Sequence, residues 1–407
     1  MRIGVIGTGQ FARSFIALWQ LHPDVEAVYV CDVIPERARE HQERYDLAGV
    51  FATAEDMISS DEVDSVAVMT QRWSHGPLVL QALEAGKNVY SAVPMAISVE
   101  EIKSIVEKVD QTGLIYMMGE TSYYNPAVIW AREKVAAGDF GRVFYAEGDY
   151  VHDMDNGFYA AYRYSGGDDW KRTASYPPML YPTHAIGGVL GALPTHAVSV
   201  SCIGISDDRG DGVFDANVSQ WGNEFSNMSA LFELADGAAM RTNEFRRVGY
   251  WNGHESRFRF YGTDQVMEQS GHGATLSIKT EGADYAKGET VDISDLFYTR
   301  TKQMPTEDFG DVDPALLQSF ASGNAKVQDR SRLPKEFEGA HNGHEGSHHF
   351  LADDFVRAVT TKTHPPVSAW RAARFTLPGV VAYESAKQGA ARLDIPDFGD
   401  GPPNPNW

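Results

Sequence analysis

At 407 residues, 43% hydrophobic and 11% aromatic, the chain has the length for two domains with real cores, and no apolar run approaches the ~18 residues of a bilayer span. Its 35 Lys and Arg against 56 Asp and Glu leave a net charge of −21, which argues against nucleic acid as a partner but not against a small anionic substrate, where local charge decides. Cys31 and Cys202 are the only cysteines, too few for a disulfide framework, and a first strand starting at residue 2 leaves no room for a signal peptide, so a soluble cytoplasmic protein is expected.

Residues 2–6 form a short apolar run that reads as a buried strand. Gly7-Thr8-Gly9-Gln10-Phe11-Ala12 follows at once, then a helical pattern through Phe15, Ile16, Leu18 and Trp19, then a second strand over 25–30 closed by Cys31 and Asp32. Strand, glycine turn, helix, strand and acid make the βαβ fingerprint of a dinucleotide site. Gly7 permits the tight turn, Gly9 lets the backbone approach a pyrophosphate at the helix N-terminus, and Ala12 keeps helix and strand close. Asp32 stands where a carboxylate accepts the adenosine ribose hydroxyls and repels a 2′-phosphate, which favours NAD over NADP.

The alternation continues with a helix over 36–45, a strand over 64–69, a helix over 78–85 ended by Gly86, a strand over 88–91, a helix over 99–111 stopped by Gly113, and a strand over 114–118. Such alternation predicts an α/β Rossmann domain, a doubly wound parallel sheet, over residues 1–122. Ligands of such sheets bind beyond the strand C-terminal ends, here Gly7, Asp32, Thr70, Ser91 and Gly119.

Beyond Thr121 the character changes. A helix is expected over 126–137 and a strand over 143–151, then a polar-aromatic stretch over 152–182 containing GGDDWKR, and a helix over 183–193. Strands are expected at 197–205, 213–221, 227–234, 238–245, 256–262 and 275–280, helices over 347–359 and 370–389, and an irregular tail over 395–407. Residues 282–345 are weakly patterned and read as a surface or partner wrap. Residues 123–407 are therefore expected to be an α+β domain with a large, mostly antiparallel sheet.

VIGTGQFARSF, HGPLVLQALEAGKNVYSAVP, AREKVAAGDFGRVFYAEG and the stretch 385–396, in this order, resemble the Gfo/Idh/MocA family of nicotinamide-dependent sugar oxidoreductases over nearly the whole chain. Where that family has Glu-Lys-Pro, whose lysine helps deprotonate the hydroxyl being oxidised, this chain has Ala92-Val93-Pro94; where it has Asp-x-Gly-x-His, the chain has Leu180-Tyr181-Pro182-Thr183-His184. Val-Pro without lysine and YPTH are similar to the NAD-dependent glycosidases of the same superfamily, such as the α-N-acetylgalactosaminidase type, as are HEGSHH at 344–349 and the PDF tail with its final Trp407. Those glycosidases usually keep a glutamate at Ala92, a departure that points to another branch, for instance one acting on sulfoquinovosides.

The resemblance implies transient oxidation at C3 of a sugar, loss of the acidified C2 proton with the C1 leaving group, addition of water, and re-reduction by the waiting NADH. It assigns His184 to the C3 hydroxyl proton and Tyr181 to the C2 proton, with Tyr123 beside them. Cofactor contacts fall on Gly7, Thr8, Gly9, Gln10, Phe11, Asp32, Thr70, Trp73, His75, Ala92, Pro94 and Glu120. Tyr124, Asn125 and His348 would meet substrate, and Arg163, Lys171 and Arg172 would suit an anionic sugar. His341, His344, His348 and His349 lack an HExxH or a carboxylate-complete set and read as structural or substrate-contacting, not as metal ligands. The alternatives are an NAD-dependent sugar or polyol dehydrogenase with His184 alone as base, and a non-catalytic NAD sensor. The family also implies a homo-oligomer, dimer or tetramer, built on the C-terminal sheet.

Overall fold

The computed structural model describes residues 1–249, 254–280, 288–298 and 323–403. Six parallel strands form the first sheet: β1 (Arg2–Ile6), β2 (Ala27–Cys31), β3 (Gly49–Val50), β4 (Ser65–Val68), β5 (Asn88–Ser91) and β6 (Tyr116–Met118), in the order β3-β2-β1-β4-β5-β6. Helices α1 (Gln10–Leu21), α2 (Pro35–Tyr45), α3 (Ala54–Ser59), α4 (His75–Glu84) and α5 (Val99–Thr112) connect them. The apolar runs are buried on both faces, as a parallel sheet under helices requires; β4 is wholly buried. Strand order reverses between β1 and β4, which opens a crevice beyond their C-terminal ends. The pair β3 and α3, too short to carry a period, was not legible in the sequence.

After α6 (Pro126–Ala137) and β7 (Val143–Val151), the polar-aromatic stretch folds as a π-helical turn at Met154–Phe158, α7 (Tyr159–Gly166) and α8 (Trp170–Ala174). Then come α9 (Thr183–Ala192), β8 (Ala197–Ser206), β9 (Phe225–Leu234), β10 (Ala239–Phe245), β11 (Ser256–Gly262), β12 (Gln265–Gln269), β13 (Ala274–Ile278), β14 (Glu289–Asp292), α10 (Ser294–Phe297), α11 (Gly343–Thr361), α12 (Ala369–Lys387) and β15 (Leu393–Asp394). Nine strands make the second sheet in the order β14-β13-β12-β11-β7-β10-β9-β8-β15, antiparallel throughout except for the β7–β10 pair.

The strand expected over 213–221 is instead a turn. Asp215 accepts from the Asn217 N–H at 2.8 Å, and Val213 and Phe214 are buried with Met154, Tyr162 and Ala174 in a small separate core. The short strand β12 was not expected from the sequence. Of the stretch 282–345, residues 282–287 and 299–322 lie outside the described residues, as does Trp407 with 404–406. Among the described residues no helix is long and apolar enough to cross a membrane.

The last third of the chain returns to the first sheet. Phe15 and Trp19 of α1 meet Tyr90 of β5, and Trp19 and Tyr90 meet Phe355 of α11, with ring centroids 5.3–6.4 Å apart. The Met118 N–H on the edge strand β6 donates to the Val367 carbonyl at 3.1 Å.

Candidate active site

The crevice above β1 and β4 continues into a cavity of about 510 Å³ walled by both halves of the chain. Gly7 has φ +92°, and a Cβ there would lie 2.8 Å from the Met69 carbonyl oxygen, so the turn needs glycine. Gly9 caps α1 with an extended backbone, no side-chain cap and no acid in the first turn. A Cβ on Gly9 would meet nothing within 4 Å. Packing therefore does not demand a glycine there; the open space over the helix N-terminus does, and it fits a pyrophosphate approaching the backbone. Asp32 Oδ2 accepts from the Thr8 N–H at 2.8 Å and the Thr8 hydroxyl at 3.0 Å, and Oδ1 accepts from the Ile34 N–H at 2.8 Å. This fixes the carboxylate at the rim of the crevice, where a ribose edge fits. On the facing wall His75 bridges the Pro94 and Thr70 carbonyls at 2.7 and 3.1 Å, tying the ends of β4 and β5 together, and Ala92 and Val93 complete the wall.

At the inner end, Tyr181 and His184 sit one turn apart at the start of α9. Glu120, fully buried after β6, accepts from the Ser122 N–H at 2.7 Å and lies 2.9 Å from His184 Nδ1. Burial alone would raise the Glu120 carboxyl, but the adjoining His184 imidazole, by charge and hydrogen bond, holds it below its ordinary range. An ionised Glu120 accepts a hydrogen bond from Nδ1–H and leaves Nε2 to face the Tyr181 hydroxyl at 3.1 Å. The Arg72 guanidinium lies over the Tyr181 ring, 4.2 Å from its centre, and donates to the Tyr162 hydroxyl at 2.7 Å. Burial pushes the Tyr181 phenol up, and Arg72 pulls against it.

Gly9, Gln10, Phe11, Thr70, His75, Ala92, Asn125, Tyr181 and His184 all reach the cavity. Gly7, Thr8 and Asp32 stand behind the helix N-terminus, Pro94 behind His75, and Glu120 behind His184. The remaining expectations are placed elsewhere. Trp73 packs on Trp221, 5.3 Å between ring centres. Tyr123 lies under Arg132 and accepts from Arg371 at 3.1 Å, facing away from the cavity. Tyr124 stacks on Phe350 and bonds to Asp354. His348 is buried among Phe11, Phe15 and His344. Arg163, Lys171 and Arg172 are exposed and do not enter the cavity, because partners on the outside hold the first two: Trp170 lies under Arg163 at 4.8 Å, and the Asp211 carbonyl accepts from Lys171 at 2.8 Å.

The sequence reading missed several groups that do line the cavity, Arg37, Arg72, Tyr150, His152, Glu255 and Glu345, while His344, read as structural or substrate-contacting, does reach it. Tyr150 and His152 carry a readable signal, since Ala146, Gly148, Tyr150 and His152 continue one face at period two. His344, Glu345 and Gly346 are consecutive left-handed residues at φ 47°, 55° and 87°, a strained run that turns His344 and Glu345 to the cavity. Gln328 holds it, donating to the Glu345 carbonyl at 2.7 Å.

Residues 1–120 match the model of the GFO/IDH/MocA oxidoreductase family with its NAD-binding Rossmann fold. A glycosyl hydrolase family 109 protein of Saccharopolyspora erythraea is 22% identical over 98% of this chain and 83% of its own length. One of Solibacter usitatus is 25% identical over 98% of this chain and 88% of its own length. Among solved structures, levoglucosan dehydrogenase in complex with NADH and levoglucosan superposes with a TM-score of 0.70 at 16% identity, covering 98% of this chain and all of that one. The fold is thus shared along the full length, and the glycine turn, Thr8 and Asp32 lie inside the matched NAD-binding unit.

Proposed function

We propose that this chain is an NAD-dependent glycoside hydrolase that works by transient oxidation at C3 of a sugar ring, elimination, water addition and re-reduction. The observation that carries this reading is the chain Glu120–His184–Tyr181–Arg72 in the same cavity as the Gly9 helix terminus. It sets two proton-handling groups 3.1 Å apart where oxidation of an alcohol alone needs one. No lysine lines the cavity among the described residues. Full-length similarity to two glycosyl hydrolase family 109 proteins supports the same reading.

NAD, when bound along Gly7–Ala12 and Asp32, supplies a hydride acceptor for C3 and returns the hydride within the turnover. His184, oriented by Glu120, takes the C3 hydroxyl proton through Nε2. A C3 ketone acidifies the C2 proton enough for a modest base, and Tyr181 is placed to remove it. Arg72 over the Tyr181 ring stabilises the phenolate that this role requires.

The substrate we favour is an anionic sugar such as a sulfoquinovoside. The group that supports it is Arg72: it has no carboxylate partner among the described residues, and its Nε has no hydrogen-bond acceptor. A guanidinium so placed matches a sulfonate or carboxylate.

Purified protein mixed with 4-nitrophenyl sulfoquinovoside and 4-nitrophenyl α-N-acetylgalactosaminide in deuterated water tests the reading. Nitrophenol release without net NADH, with deuterium entering at C2, is expected. Stoichiometric NADH from free sugars without nitrophenol release would make the protein a dehydrogenase. Tyr181→Phe and His184→Ala should each lower turnover on the order of 10²–10⁴-fold with the NAD content unchanged; full activity in both would remove the pair from the mechanism.

A further inference from the structure

The reaction needs a second proton relay, because the glycosidic oxygen must be protonated as it leaves and water must be deprotonated as it adds. The Glu120–His184–Tyr181 chain is committed to C3 and C2. Beside it stands another acid–base set that those steps do not use. The Tyr150 ring packs edge-on against His184, 4.8 Å between centres, with the Arg246 guanidinium 4.7 Å from its own centre. Its hydroxyl lies 3.2 Å from His152 Nδ1. The same Nδ1 lies 3.0 Å from Glu255 Oε2, while Nε2 is tied to the Asn156 carbonyl at 2.8 Å. Asn156 also donates to Glu255 Oε1 at 3.2 Å, so the imidazole and carboxylate are both fixed. Tyr150, His152 and Glu255 all line the cavity.

We propose that Tyr150 is the acid that protonates the departing glycosidic oxygen, and that His152, backed by Glu255, restores its proton; the assignment rests on the hydrolase reading above. With C3 oxidised and the C2 proton removed, the C2–H electron pair forms the C1=C2 bond. The C1–O1 bond breaks, and its pair leaves on O1, which takes the Tyr150 hydroxyl proton. The Tyr150 phenolate then takes the Nδ1 proton of His152, leaving a neutral imidazole beside the Glu255 carboxylate. In the second half the direction reverses: water adds at C1, its proton passes through Tyr150 to His152, and Tyr181 returns a proton to C2. No proton is gained or lost over the cycle.

Two features of the environment suit these roles. Burial, with the Glu255 charge adding to it, keeps the Tyr150 phenol well above its ordinary range and hence protonated. Burial opposes ionisation of Glu255, but the His152 imidazole holds its carboxyl below the ordinary range, so it carries the charge that an imidazolium needs. The single Nδ1 site facing both Tyr150 and Glu255 is what a relay junction requires.

The test is leaving-group dependence in His152→Gln and Glu255→Gln, with methyl and 4-nitrophenyl sulfoquinovoside as paired substrates and the corresponding N-acetylgalactosaminides as a second pair. Nitrophenolate departs with little protonation, whereas methoxide does not. The expected result is a loss of kcat on the methyl glycoside that exceeds the loss on the nitrophenyl glycoside by at least 30-fold in both variants. General acid–base assistance is worth on the order of 10²–10⁴-fold, so the window is ample. Equal losses on the two substrates would reduce His152 and Glu255 to props for the Met154–Phe158 turn and overturn the relay. If the unaltered protein releases nitrophenol from neither sugar, it is the hydrolase reading that fails, and the relay falls with it. Glu255→Gln keeps the Asn156 contact and so stays informative if His152→Gln misfolds.

Discussion

The guanidinium of Arg37 covers the ring of Tyr164 at 4.0 Å and donates to the Tyr164 carbonyl at 2.6 Å. Arg37 belongs to α2 of the first sheet's half and Tyr164 to α7, which crosses the crevice; Ala161, Tyr162 and Ser165 of the same helix line the cavity. The pair fastens a cover over the nucleotide end. Arg37→Ala removes a cation–π contact and a charge-assisted hydrogen bond, together about 1–2 kcal/mol at a half-exposed site. Dissociation of NAD, followed by tryptophan fluorescence after dilution, should accelerate roughly 5- to 30-fold, while the melting temperature without NAD changes little.

Gly9 and Gly148 make opposite predictions from the same substitution. A Cβ on Gly9 meets open space at a permitted φ of −65°, so Gly9→Ala should leave stability without NAD unchanged and weaken NAD binding at least tenfold in titration calorimetry. A Cβ on Gly148 would lie 2.4 Å from the Ala185 carbonyl, so Gly148→Ala should destabilise the fold by about 1–3 kcal/mol in urea denaturation. Because α9 carries His184 and β7 carries Tyr150, the strain should also loosen the contact between these two rings.

Arg72→Gln should equalise substrates. If the guanidinium holds an anionic group, kcat/KM for the sulfonated glycoside should fall roughly 10- to 100-fold relative to that for the neutral glucoside of the same aglycone, the loss of about 1.5–3 kcal/mol for a charged hydrogen-bonded pair. An equal fall on both would assign Arg72 to Tyr181 alone.

The histidines at the start of α11 predict acid sensitivity. His344 and His349 are held down to about 4, by burial first, with His184 and Arg330 respectively adding repulsion. A folded-state value below the unfolded 6.5 means that the unfolded chain takes up protons the folded chain refuses. The stability is complete above pH 6.5 and is lost as pH falls toward 4, at about 1.4 kcal/mol per unit for each histidine. Glu244, raised to about 8, and Asp354, raised to about 6, both mainly by burial, act in the opposite sense over part of the same range. The measurement is therefore a difference: His349→Gln should flatten the fall in melting temperature between pH 6.5 and 4.5 relative to the unaltered protein.

The first sheet was legible nearly strand by strand because buried parallel strands are continuous apolar runs punctuated by Gly7, Gly86 and Gly113. The site was legible where residues lie within one turn of each other, as Tyr181 and His184 do. It was not legible where the chain crosses from one wall to another: Glu255 reaches His152 from 103 residues away, and Arg72 reaches Tyr181 from the other half of the molecule. Composition misled in the polar-aromatic stretch, where Arg163, Lys171 and Arg172 supply charge but face outward. Three left-handed residues in a row at His344 leave no trace in a pattern of apolar spacing.

The aromatic seam of Phe15, Trp19, Tyr90 and Phe355 joins α1 and β5 to α11, within one core that also takes in the second sheet. Among the described residues, swinging one half away from the other would expose that apolar surface to water. Residues 154–174 are built differently: Met154, Tyr162 and Ala174 share a small separate core with Val213 and Phe214, and the segment meets the first half through the side chains of Arg37 and Arg72. Opening of this segment alone would be a local event far smaller than unfolding.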